Sequence, residues 1–197
     1  MSLGHLASLA RLADRCAAEL ETIVAQYVEL VRHTVREGGT VYFAGNGGSA
    51  AHAQHMATEY VVRYRPVARR AVSAVALSTD SSLLTAAAND LGFDAVFARQ
   101  IEAHGKAGDL LVLVSTSGNS ANLLRAAEAA RARGVVTVGL LAKDGGKLRA
   151  LVDLAIVVPT DDAAHAQEIQ FAIDHHVCGV IEAELTRGEE RGARSEG

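Results

Sequence analysis

The stretch YFAGNGGSAAHAQHMATEY, residues 42–60, places two kinds of chemistry side by side. Its segment Gly45-Asn46-Gly47-Gly48-Ser49 follows an apolar run and opens a helix-like pattern. Glycines permit positive φ and close backbone approach, and a helix starting there offers free N–H groups to an anion. His55 and Glu59 then stand at i and i+4, on one face of that helix. Imidazole nitrogen and carboxylate oxygen both suit zinc, and both groups can move protons. Such pairs also decorate solvated helix faces, and spacing alone leaves both readings open. His52 reads as a solvated residue of the same helix.

A second loop has matching chemistry. Ser115-Thr116-Ser117-Gly118-Asn119-Ser120 follows the run LLVLVS and precedes another helical pattern. Its hydroxyls and helix-start N–H groups can form a phosphate cup without a formal positive charge. Ser/Thr caps also begin ordinary helices. Two such loops at equivalent ends of strands favour a ligand. Neither loop fits G-x-x-x-x-G-K-[ST], and the dinucleotide G-x-G-x-x-G fingerprint is absent. Near the C-terminus lie His165, Gln167, Gln170, Asp174, His175 and His176. His175 and His176 diverge on a helix, so one of the two faces a given site. Asn89-Asp90, before Leu91-Gly92, reads by itself as a helix C-terminal turn.

These residues need a scaffold, and apolar runs supply it. VYFAG after EGG, then SAVAL (73–77), LLVLVS (110–115), VVTVGLL (135–141) and LAIVVP (154–159) read as strands. Helical patterns fill about 48–62, 80–88, 94–104, 119–133, 146–151 and 163–187. Short strands alternating with helices predict an α/β fold, a doubly wound five-stranded parallel sheet of flavodoxin-like type. In such sheets ligands bind beyond the carboxyl ends of strands. Residues 1–37 form an N-terminal helical region, with Leu6, Leu9, Leu12, Cys16, Leu20, Ile23, Tyr27, Leu30 and Val31 at helical spacing. Residues 38–187 form the α/β domain, and the polar, Gly-rich 188–197 reads as a disordered tail.

Composition narrows the classes. The 197 residues are 49% hydrophobic, enough for one sizeable core. A net charge of −4 argues against a nucleic-acid groove as the main surface. No apolar run reaches membrane-span length. Cys16 and Cys178 are far apart in apolar helical contexts, which predicts buried, reduced thiols in a cytoplasmic protein.

GNGGS, then Asn89-Asp90, then STSGNS, at these separations, resemble the sugar isomerase (SIS) domain family over about residues 40–185. GNGGSAA…AQH…E resembles its phosphoheptose isomerase branch. The resemblance implies zinc held by His55, Glu59, Gln167 and His175, the positions matching the branch's ligand set. It implies a phosphorylated ketose or aldose as substrate, with Ser115, Thr116, Ser117 and Ser120 on the phosphate. Asn46, Gly47, Gly48, Ser49, Glu59, Asn89, Asp90 and Gln167 would meet the sugar. Glu59 is the candidate carbon base and His175 the partner acid/base of an enediol isomerisation. The branch works as a homotetramer with its N-terminal helices packed together. His52 stands where Asp is common and Gln170 where His is common, which leaves substrate preference open. A partner-binding SIS protein of the replication-initiator-associating type is the main alternative, but that type lacks the full ligand set. An isomerase of another phosphosugar is the other.

Overall fold

The computed structural model describes residues 3–195, with side chains through Glu189. Strands β1 (Val41–Gly45), β2 (Ala74–Ala76), β3 (Leu110–Ser115), β4 (Val136–Ala142) and β5 (Leu154–Val158) form one parallel sheet in the order β2-β1-β3-β4-β5. This is the expected doubly wound sheet. Its strands bury both faces, so they read as nearly continuous apolar runs.

Helices α1 (Gly4–Glu19), α2 (Glu21–Arg36), α3 (Gly48–Val61), α4 (Ser81–Leu91), α5 (Ala98–His104), α6 (Ala121–Arg133) and α7 (Ala163–Ser195) surround it. On one face Val41, Phe43, Val112, Val114 and Leu140 meet α2, α3 and α7 through Tyr27, Val31, Met56, Tyr60, Ile173 and Val177. On the other, Tyr42, Ala44, Leu111, Leu113 and Leu141 meet α5 and α6 through Ile101, Leu123, Ala126 and Ala130. The alternation of strand residues between the two clusters follows from the period-2 pleat. Gly45 at the end of β1 pairs with Val114 in β3, so the two candidate ligand loops leave the sheet side by side.

Three boundaries differ from expectation. Residues 94–104 divide into a 3₁₀ turn at Phe93–Ala95 and α5. Residues 146–151 yield only a 3₁₀ turn, Lys147–Ala150, a span too short for a full α-helical ladder. The expected disordered tail is mostly helical, because α7 continues to Ser195. Glu189 there accepts a hydrogen bond from the Arg70 backbone N–H at 2.6 Å, which anchors that stretch of α7 despite its polarity. Residues 196 and 197 lie outside the described residues. The N-terminal region splits at Leu20. α2 shares the core of the sheet, whereas α1 buries only Cys16 and leaves Leu6 55% exposed.

A buried ion pair ties the chain after α3 to α7. Glu182 accepts from the backbone N–H groups of Tyr64 and Arg65, both at 2.8 Å, and from Arg69 Nε at 3.0 Å. Arg69 donates onward to the carbonyls of Tyr60 at 2.9 Å and Glu59 at 2.6 Å. The two side chains are 2% and 3% exposed. Glu182→Ala is expected to destabilise by about 3–5 kcal/mol, because it strands a buried guanidinium. Replacing Arg69 and Glu182 together by Met is expected to cost less than that single change. Urea unfolding midpoints of the three proteins check the order.

Candidate active site

Two helices that start at opposite ends of the sequence bring the reactive groups together. Gly47, with φ of 55°, begins α3, and the α3 face that carries His52, Ala53, Met56 and Tyr60 is buried. His55 and Glu59 lie on its flank toward α7. His55 Nε2 stands 3.1 Å from Glu59 Oε1 and 3.2 Å from His175 Nε2 on α7. Phe171 packs between the helices, 4.8 Å from the His55 ring and 4.7 Å from that of His175, and Tyr64 stacks on His175 at 5.2 Å. Gln167 lines the same cleft as His55, with Gly48, Ala51, His52 and Phe171. Its amide fills the place of a side chain at Gly48, where a Cβ would meet Gln167 Nε2 at 2.9 Å. Of the four residues expected as a ligand set, His55, Glu59 and His175 bring ligand atoms within 4.8 Å of one another, and Gln167 lines the cleft beside His55.

The donor set fits a borderline divalent ion such as zinc. Tetrahedral bonds of about 2.0–2.1 Å separate neighbouring ligand atoms by about 3.3–3.4 Å. The 3.1 and 3.2 Å spacings around His55 Nε2 are close to that edge. No thiol competes: Cys178 is a free, buried thiol that burial pushes up to about 12. His175 is held below its ordinary value, first by burial and then by the neighbouring His55. It is therefore more readily available as a neutral imidazole, the form that binds a metal or takes up a proton.

His52 overturns its expectation as a solvated residue. It is 4% exposed, and its Nε2 lies 2.7 Å from Asp174 Oδ2. The other oxygen of Asp174 accepts from the Tyr27 hydroxyl of α2, also at 2.7 Å. A chain of three buried polar residues thus joins α2, α3 and α7 directly beneath the cleft. Gln170 is also wholly buried and donates from Nε2 to the Leu140 carbonyl at 2.9 Å, fastening α7 to β4. Sequence reasoning missed His52 and Tyr27 as partners of Asp174, because the pairings cross 122 and 147 residues.

The loops behave less uniformly than their sequences. Ser115 is 5% exposed and its Oγ accepts from the Gly118 N–H at 3.0 Å, so it shapes the loop from inside. Thr116, Ser117 and Ser120 remain partly exposed. Gly118 has φ of 62°, and a Cβ there would stand 1.9 Å from the Gly145 carbonyl oxygen, which only glycine tolerates. Ser49 is buried, with its N–H on the Asn46 carbonyl at 3.0 Å. Asn46 exchanges two amide hydrogen bonds with Asn122 of α6, at 2.9 and 2.8 Å. That pair locks the first loop to the second. Asn122 went unread in the sequence, although its place just inside a helix after a Ser-rich loop was the available signal. Asn89 and Asp90 do not join this cluster: they sit exposed in the last turn of α4, bonded to each other at 2.7 Å.

Comparisons with known proteins identify the family and agree with the fold. The SIS domain family model matches residues 5–142. Phosphoheptose isomerase of Chlorobium phaeovibrioides is 51% identical over 178 residues, covering 89% of this chain and 84% of the relative. That of Pelobacter propionicus is 47% identical over 181 residues, covering 92% and 95%. The structure of phosphoheptose isomerase GmhA from Neisseria gonorrhoeae superposes with a TM-score of 0.86 at 39% identity, covering 91% of this chain and 96% of that one.

The His175 environment makes a sign-definite prediction. Its folded pKa lies below the ordinary 6.5, so the unfolded chain binds the proton more readily. The stability tied to this group is complete above pH 6.5 and is lost as pH falls toward the folded value. NMR titration of metal-free protein should place the His175 midpoint below 6.5. His55→Ala should move it upward, since it opens the site and removes a neighbouring positive charge.

Proposed function

The chain belongs to the SIS-domain family, in its phosphoheptose isomerase branch, and we propose that it converts sedoheptulose 7-phosphate to D-glycero-D-manno-heptose 7-phosphate through an enediol. The observation that carries this reading is the complete set His55, Glu59, Gln167 and His175 gathered on one seam. A partner-binding SIS module has no need of that set.

Aldose–ketose isomerisation moves a proton between adjacent carbons and another between their oxygens. Glu59 removes the carbon proton. Its side chain is 16% exposed, which limits competing water, and its backbone carbonyl is held by Arg69 at 2.6 Å. His175 moves the hydroxyl proton, in keeping with an imidazole held largely neutral near pH 7. A zinc ion on His55, Glu59, Gln167 and His175, when bound, supplies Lewis-acid polarisation of the substrate oxygens. Thr116, Ser117 and Ser120, at the start of α6, hold the phosphate through hydroxyls and helix-end N–H groups. The Asn46–Asn122 pair fixes the distance between that phosphate site and the seam, which orients the sugar.

A homotetramer is the assembly that suits α1. This helix leaves Leu3 and Leu6 exposed, and beside it Cys16, Leu20, Val24, Val28, Ala172 and Ile173 line an apolar groove. Two free buried cysteines accord with a reducing, cytoplasmic setting, and none of the described helices is long and apolar enough to cross a membrane.

Incubating the purified protein with sedoheptulose 7-phosphate should yield the aldose phosphate. No turnover on this substrate, with turnover on another phosphosugar, would reassign the substrate; none on any would leave only a binding role. Thr116→Val keeps the side-chain shape and removes the hydroxyl. It should weaken binding of the phosphosugar by about 0.5–3 kcal/mol and barely change binding of the unphosphorylated sugar. Equal losses for both sugars would remove Thr116 from the phosphate site.

A further inference from the structure

Away from the α3–α7 seam, a second group of metal-type donors joins the start of α1 to the start of α7. His5 Nε2 lies 2.9 Å from Glu168 Oε1. The His5 and His165 rings stack with centroids 4.3 Å apart and planes at 26°. Ligand atoms of His5, His165 and Glu168 all fall within 4.8 Å of one another.

Two features set this group apart from a surface ion pair. His165 is 8% exposed, so one imidazole of the set is withdrawn from water. That ring also has a carboxylate behind it: Asp162 Oδ2 lies 3.4 Å from His165 Nδ1. Asp162 is itself fixed, since its Oδ1 accepts from the N–H groups of Ala164 at 2.8 Å and His165 at 3.2 Å. His165 Nε2 lies 3.2 Å from the His5 backbone carbonyl oxygen, which only accepts, so the Nε2–H donates there. A tautomer shift that puts the proton on Nδ1, beside Asp162, frees Nε2 as a ligand, the carboxylate-behind-histidine arrangement of metal sites.

We propose that His5, His165 and Glu168 bind a second divalent cation of the zinc class, with Asp162 orienting His165. Two imidazole nitrogens and one carboxylate oxygen form an N/O set suited to such an ion. Contraction from the present spacing to bonds of about 2.0–2.2 Å needs only side-chain rotation on the exposed His5 and Glu168. Glu168 also lines the cleft that holds His55 and Gln167. The ion therefore pins the otherwise lightly packed α1 to the rim of the active site. None of the residues of this site belongs to the His55, Glu59, Gln167 and His175 set, so the two sites stand or fall separately.

The test is zinc stoichiometry by equilibrium dialysis, on tag-free full-length protein stripped with chelator. Wild type should bind two ions per chain. His55→Ala with His175→Ala should bind one, and adding His5→Ala to that pair should bind none. Glu168→Gln, which preserves side-chain volume, should remove the same ion as His5→Ala. Asp162→Asn, which can still cap α7, should weaken that ion about 10- to 100-fold. If His5→Ala and Glu168→Gln both bind as many ions as wild type, the group is a hydrogen-bonded cluster only and the proposal is overturned. If instead the His55/His175 double variant keeps the wild-type count while His5→Ala lowers it, the second site holds and the seam assignment fails.

Discussion

The structure depends on the close approach of α3 and α7, and that approach is enforced by polar groups that cannot be left alone. Asp174 is 1% exposed and accepts from His52 and Tyr27. Glu182 and Arg69 form a second buried pair along the same seam. An unpaired charge or donor at such depth is heavily penalised, so the first contact holds only when α2, α3 and α7 are all in place, and the second only when the segment after α3 lies against α7. The reward is functional. His55 and His175, 120 residues apart in sequence, come within 3.2 Å, and Glu59 Oε1 lies 3.1 Å from His55 Nε2.

The two loops at the carboxyl ends of the inner strands β1 and β3 are held by weaker forces. Neither contains a lysine or arginine. On the proposed reading, hydroxyls and the partial positive charge of a helix start attract the phosphate without a fixed cation near the reacting carbons. Precision comes from backbone geometry: Gly118 in a left-handed conformation against Gly145, and Asn46 bridged to Asn122. A charged loop would bind phosphate more strongly. It would also add the field of a fixed cation to the cleft between the loops and the α3–α7 seam.

Much of this was legible in the sequence, and the division is physical. Runs such as LLVLVS and VVTVGLL identify buried parallel strands, because only a strand covered on both faces is apolar throughout. The i, i+4 spacing of His55 and Glu59 put them on one face, and family resemblance selected Gln167 and His175 as their partners. What stayed hidden was long-range pairing of polar residues. His52 lies in a polar-looking helix and reads as solvated until Asp174, on another helix, is set against it. Asn122 and the Glu182–Arg69 pair escaped for the same reason. The turn that Ser115 closes was hidden too: its hydroxyl, read as a ligand group, accepts from the Gly118 N–H. The extent of α7 was underestimated because Gly188 and the charges around it resemble a tail, while Glu189 finds a partner in Arg70 only in three dimensions.

The central claim is that the α3–α7 seam performs proton transfer with Glu59 as the carbon base. The most direct measurement is isomerisation in deuterated water by wild type and Glu59→Gln, both carrying equal metal. The account predicts deuterium at C1 or C2 of the wild-type product, and turnover lowered about 10²- to 10⁴-fold in the variant. A Glu59→Gln protein with full metal content that isomerises at the wild-type rate would contradict it.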